Sequence, residues 1–141
     1  MIVFPDAILE LMLNLLPSAA GSAGPLHGIK LKLYKNPLAP QPSNLLADFT
    51  EADYTGYAES AALTWSPAVG DGSGTWQLIG SPETWAPTGT TVPNTIYGVY
   101  AVDTAGTTLI FSEQFASPVP MAALTDSLTY LPVVRTSALS P

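Results

Sequence analysis

The chain has 141 residues, 47% of them hydrophobic and only 11% charged, with 11 acids against 4 bases and a net charge of -7. Such a length fits one domain that buries about two-thirds of its unfolded surface without a covalent staple. The sequence is too apolar and too sparsely charged for a disordered tail, its sign opposes binding to a nucleic-acid backbone, and the absence of cysteine excludes disulfides, thiolate metal sites and thiol nucleophiles.

Residues 5–16 predict a short apolar helix. Pro5 suits the first helical position, Asp6 and Glu10 favour the positive end, and Pro17 stops it. Asp6, Glu10 and Asn14 form one narrow polar stripe. The side chains of Ile8, Leu9, Leu11, Met12, Leu13, Leu15 and Leu16 are left to be covered, either by the rest of the domain or by another subunit. The run lacks the positive start of a signal peptide, because Lys30 is the first basic residue. It is also about half the roughly 20 residues of a membrane span, so no membrane association is expected. Residues 18–26, rich in Ser, Ala and Gly, read as a flexible linker. Residues 1–26 are therefore expected to be an assembly arm, and 27–141 a β-sandwich domain.

After the linker the hydrophobic period changes to two. Ile29, Leu31 and Leu33 alternate with Lys30, Lys32 and Tyr34, the pattern of a half-buried strand. Pro37, Pro40 and Pro42 impose a loop, and residues 44–55 read as an irregular or short helical turn anchored by Phe49 and Tyr54. Further strands are predicted over 57–65 and 75–79, the second entered from the glycine-rich turn 70–74. The strongest element is a hairpin over 95–115, turned by Asp103-Thr104-Ala105-Gly106 with a left-handed glycine. Its first strand is apolar on both faces, with Ile96, Tyr100 and Val102 on one and Tyr97, Val99 and Ala101 on the other. It therefore belongs in the middle of a covered sheet. A last strand over 128–134, interrupted by Pro132, belongs at an edge. The expected fold class is mainly β: a small antiparallel β-sandwich or jelly-roll-like barrel with a short N-terminal apolar helix.

Groups suited to chemistry are sparse. His27 is the single histidine, without the partners of a zinc site or a serine triad. Asp48, Glu51 and Asp53 read as a solvated turn, with paired-carboxylate catalysis as the competing reading. Asp71-Gly72-Ser73-Gly74 resembles a fragment of a calcium loop but lacks the remaining oxygen ligands. No catalytic residue, cofactor or metal is expected. Lys30 and Lys32 share one face, where they either guard a sheet edge or dock onto an acidic subunit. Trp65, Trp76 and Trp85 read as core or end plugs. The alternative is a carbohydrate-binding module for host attachment, in which Trp85, placed in a loop, stacks on sugar rings.

One arrangement carries a family resemblance. A short apolar helix precedes Leu31-Lys32-Leu33-Tyr34-Lys35-Asn36 and a Pro-containing loop. The run Leu46-Ala47-Asp48-Phe49-Thr50-Glu51-Ala52-Asp53-Tyr54-Thr55-Gly56-Tyr57-Ala58 follows, then Ile96-Tyr97-Gly98-Val99-Tyr100 and Leu109-Ile110-Phe111-Ser112-Glu113-Gln114-Phe115. From about residue 5 to 136 this resembles small β-rich virion proteins of tailed bacteriophages, of the head decoration (cement) or accessory structural kind. The resemblance implies a non-enzymatic capsid decoration protein on the exterior of the head. It also implies a homo-oligomer, with a trimer favoured, that docks on the major capsid protein or other virion subunits.

Overall fold

The computed structural model describes residues 2, 26–66, 69–70, 76–89 and 93–136. The helix expected over 5–16, with Ile8, Leu9, Leu11, Met12, Leu13, Leu15 and Leu16, lies outside them, as do most of the linker and residues 71–75. Among the described residues there are eight strands: β1 (Lys30–Tyr34), β2 (Val69–Gly70), β3 (Trp76–Ile79), β4 (Glu83–Trp85), β5 (Asn94–Val102), β6 (Leu109–Met121), β7 (Leu128–Tyr130) and β8 (Val133–Thr136). A 3-10 turn, Leu46–Asp48, is the helical element among the described residues. Every pairing is antiparallel, and the strands make three sheets ordered β1-β5-β6, β2-β3-β8 and β4-β7. The protein is mainly β, and among the described residues no sheet closes on itself.

β5 occupies the centre of the main sheet, as its two apolar faces require. On one face Leu31, Leu33, Val99, Ala101 and Phe111 form the larger core, onto which Trp85, Leu128 and Tyr130 of the β4-β7 pair also pack. On the other, Tyr34, Phe49, Tyr100, Val102 and Leu109 form a second, smaller core. Tyr34, expected to alternate outward with the lysines, is buried there: its ring meets Phe49 edge-on at 5.2 Å, and Phe49 stacks on Tyr100 at 5.0 Å. Each large apolar side chain so enclosed contributes roughly 1.5–3 kcal/mol.

The expected alternation along β5 breaks at one place. Ile96 pairs with Val119 and Gly98 with Gln114, so Tyr97 alone stands opposite residues 115–118. A bulge of this kind inverts which face a side chain takes. Ile96 thus joins Val99 and Ala101 in the larger core, and Tyr97 packs beside Tyr100 and Val102, the reverse of the strict period-two grouping. The turn at 103–106 has the expected form: Gly106 N–H donates to Asp103 O at 2.9 Å, and Gly106 has φ +74°.

Two elements depart from expectation. The stretch 57–65 is not a regular strand; residues 50–63 instead form a strap along the outer edge of β1. Leu63, Ser60 and Ala52 donate backbone N–H groups to the carbonyls of Ile29, Leu31 and Leu33, and Lys35 N–H donates to Thr50 O. Between these, side chains replace backbone acceptors: Leu31 N–H donates to Ser60 Oγ at 2.8 Å and Leu33 N–H to Tyr57 Oη at 3.1 Å. A ladder patched with side chains has no propensity signature. The strand expected over 128–134 is split at Leu131-Pro132 into β7 and β8, which lie in different sheets. Proline cannot donate to a ladder, and Pro132 is fully buried where the chain crosses over.

Candidate functional site

The strap sets three carboxylates, Glu51, Asp53 and Glu59, against the two lysines of β1 and Lys35 just after it. Lys30 Nζ meets Glu59 Oε1 at 2.6 Å; Lys32 Nζ meets Glu51 Oε2 at 3.0 Å and Glu59 Oε2 at 3.4 Å; and Lys35 Nζ meets Asp53 Oδ2 at 2.6 Å. The β-strand period places Lys30 and Lys32 on one face of β1, and the antiparallel return of the strap supplies their partners. Tyr57 Oη donates to Glu51 Oε1 at 3.1 Å, and Tyr100 also hydrogen-bonds Glu51, so one carboxylate serves Lys32 and two phenols. Burial pulls the Lys32 ammonium down, but its hydrogen bond and charge contact with Glu51, reinforced by Glu59, outweigh that and hold it above its ordinary value. The hydrogen bond from Lys30 holds Glu59 below the usual carboxylate range. Burial raises the Tyr57 and Tyr100 hydroxyls, so both remain protonated donors.

The other acids expected to cluster with Glu51 are used apart. Asp48 closes the 3-10 turn: its Oδ2 accepts from Leu45 N–H at 2.9 Å and from Asn44 Nδ2 at 3.0 Å, which lowers its pKa. Asp53, two residues beyond Glu51 on the strap, is bound instead to Lys35 and to Asn94. Of the three acids, Glu51 alone meets another carboxylate, Glu59, and it does so across the Lys32 ammonium. His27 is an exposed residue in the turn before β1. Among the described residues no three of His, Cys, Asp and Glu come together as a metal site, and no helix is long and apolar enough to cross a membrane.

Trp85 is a core residue, as the first reading of the tryptophans has it, and not the exposed loop residue of the carbohydrate-binding alternative. It ends β4, is 6% exposed, packs into the larger core and donates its indole N–H to Ala58 O at 3.0 Å. A sugar-stacking platform needs an open ring face, which Trp85 does not present. Trp65, half-buried, donates its indole N–H to Leu26 O at 2.8 Å. Beside Trp85 lies an open cleft of about 230 Å³, lined by Glu59, Ser60, Glu83 and Thr84 among others. Its hydroxyls are engaged: Ser60 Oγ accepts from Leu31 N–H and donates to Ala61 O, and Thr84 Oγ1 is hydrogen-bonded to Thr129 Oγ1 at 2.8 Å.

Lys30 and Lys32, expected as edge guards or docking charges, therefore face a covered edge and are neutralised within the chain. An acidic partner would have to compete with Glu51 and Glu59 for them. Asn94, Tyr57 and Tyr100 had no local signal, because each meets its partner only when β5 and the strap come to the two sides of β1. Ile2 packs against the larger core, so the segment expected to be an assembly arm begins in contact with the β domain. No family model, curated protein or solved structure matches the chain.

Proposed function

We propose that this chain is a non-enzymatic structural protein of a tailed-bacteriophage virion, a capsid decoration or cement protein that oligomerises and docks on the head. In this reading the strands form a small sandwich, and the apolar run 5–16 is a helix that covers its leucines against other copies or the capsid shell. The observation that carries the proposal is the use made of charge. Three of the four basic residues are tied to Glu51, Asp53 and Glu59 of the strap, so the run 48–58, the most specific part of the resemblance, acts with Glu59 as bracing. Asp48, Asp103 and Asp126 likewise close turns. Such a scaffold suits a protein whose work is to fit against neighbours, and its net negative charge limits adhesion to packaged DNA.

The test is the mass of the full chain in solution, set beside a Leu11→Glu/Leu15→Glu variant that leaves Ile2 in place. The native chain is expected to sediment as an oligomer, with a trimer favoured, and the variant as a monomer with the same circular dichroism. A native chain that stays monomeric at micromolar concentration, or a variant that assembles in full, overturns the docking role of 5–16. Binding of the native chain to undecorated heads, with no signal on a glycan array, would separate a decoration protein from a host-attachment module.

A further inference from the structure

Lys35 directly follows β1, Asp53 lies on the strap and Asn94 opens β5, and one carboxylate joins all three. Asp53 Oδ2 accepts from Lys35 Nζ at 2.6 Å, while its Oδ1 accepts from Asn94 Nδ2 at 3.0 Å. The backbone N–H of Asp53 donates to Asn94 Oδ1 at 2.9 Å. Asp53 and Asn94 are thus locked by two hydrogen bonds in opposite directions, and Lys35 approaches on a flexible four-carbon stem. Asn94 is 5% exposed, and the Lys35 side chain 28%.

This is more than an ion pair with a neighbour. A primary amine, a primary amide and a carboxylate bridging their nitrogens are the complete set for transferring an acyl group from one nitrogen to another. We propose that Lys35 and Asn94 join in an intramolecular isopeptide bond, with Asp53 as the group that moves the protons. The inference does not depend on the virion reading.

The atoms balance without a co-reactant. The Lys35 ammonium gives a proton to Asp53 Oδ2, and the freed lone pair of Nζ forms a bond to Asn94 Cγ. The carbonyl π pair moves onto Oδ1, where the Asp53 N–H already points and stabilises the developing charge. Asp53 passes that proton to Nδ2, the oxyanion collapses, and the Cγ–Nδ2 bond breaks to release ammonia. Asp53 then takes the second proton from Nζ, now the nitrogen of the new amide, and hands it to the ammonia, which departs as ammonium with the two protons that Nζ has lost. Asp53 ends as the carboxylate it was, and nothing is oxidised or reduced.

Solvent sets the pace. The Asp53 side chain is 62% exposed, so water screens the ion pair and slows the transfer of a proton across it. Proximity works the other way, since holding both partners on one carboxylate makes the step unimolecular. The bond therefore forms after folding and slowly, so the reacted fraction grows with time. Once formed, it fastens the end of β1 to the start of β5, beside the ladder that already pairs them.

The test is intact mass spectrometry of the folded full chain, fresh and after prolonged incubation, followed by peptide mapping. The expected result is a growing deficit of about 17 Da, the mass of ammonia lost in acyl transfer to an amine. Mapping should then recover one branched peptide joining Lys35 to Asn94. Lys35→Arg keeps the ion pair but supplies no nucleophile, and is expected to hold the full mass. Asp53→Ala is expected to lose the deficit too, and circular dichroism will show whether it remains folded. Cyclisation of Asn94 onto its own backbone would also release ammonia, but it would survive in Lys35→Arg. A native chain that keeps its full mass throughout, or a deficit that persists in Lys35→Arg, overturns the proposal.

Discussion

Gly98 lies directly beneath the ring of Tyr34. A Cβ at position 98 would stand 2.5 Å from Tyr34 Oη and 2.6 Å from Cε1, and would also strike the backbone carbonyl of Glu113 on the neighbouring strand. The two residues are paired across β1 and β5, so the missing side chain of one makes room for the fully buried ring of the other. Burial pushes the Tyr34 hydroxyl up to about 12, and it donates to Leu38 O at 3.2 Å, which fixes the ring where it lies. Gly98→Ala is therefore expected to destabilise by about 1–3 kcal/mol through overpacking against backbone that cannot yield. Urea unfolding checks this, and an unchanged midpoint would refute the contact.

Tyr54 and Tyr57 stand ring to ring at 5.4 Å but differ in what their hydroxyls meet. Tyr54 Oη is buried with no hydrogen-bond partner among the described residues, whereas Tyr57 Oη accepts from Leu33 N–H and donates to Glu51. Removing an unsatisfied buried hydroxyl relieves a desolvation cost, and removing a satisfied one strands its partners. Tyr54→Phe is expected to be neutral or to stabilise by up to about 1 kcal/mol, and Tyr57→Phe to destabilise by about 1–3 kcal/mol. Thermal unfolding of the two single variants gives the comparison directly; effects of equal size and sign would contradict the assignment.

Trp85→Ala should act as a core deletion. Its ring fills the larger core and its N–H satisfies Ala58 O, so the expected loss is about 3–5 kcal/mol. A surface platform for a ligand would behave in the opposite way, keeping its stability and losing only binding. Denaturant titration beside a glycan array on native and variant chains separates the two.

Acid should weaken the fold in a defined window. Asp48, Asp53, Asp103, Asp126 and Glu59 are all held below the usual carboxylate range, by backbone N–H donors in the turns and by lysines in the strap. A carboxylate whose folded pKa is depressed contributes stability above its unfolded value, near 4, and loses it as pH falls through the folded value. The joint contribution of these five groups is therefore expected to be level above about pH 5 and to fall steadily below about pH 4, which melting curves across that range would show.

Glu83 has the opposite sign. Burial beside the cleft raises its pKa, so its contribution is full only below its unfolded value and is lost as pH rises through the folded one. Glu83→Gln is expected to raise the unfolding midpoint at pH 7 and to leave it unchanged at pH 3. Melting curves at the two pH values test this, and a loss at pH 7 would mean that the carboxylate has a partner it needs.

Parts of this architecture were legible in local pattern because local pattern is enough to encode them. The two apolar faces of residues 95–102 required a strand with cover on both sides, and β5 lies between β1 and β6. The Asp103–Gly106 turn is specified by four adjacent residues, one of which must tolerate positive φ, and it forms as they dictate. Phe49 and Tyr54 were readable as anchors among polar neighbours, and both are buried. Periodicity states which side of a strand is apolar, but not what comes to cover it. The strap joins Lys32 to Glu51 across 19 residues and Lys30 to Glu59 across 29, and its ladder is completed by Ser60 Oγ and Tyr57 Oη. Nothing in either stretch alone marks the other as its partner. The bulge that sends Ile96 and Tyr97 to opposite cores depends on the path of β6, and the burial of Trp85 on the arrival of β5, β6 and β7. Local sterics and hydrophobic period decided the strands and the turn. The pairing of charges, the register and the closing of each core belong to contacts between distant segments, whose free energy exists only once the whole chain has condensed.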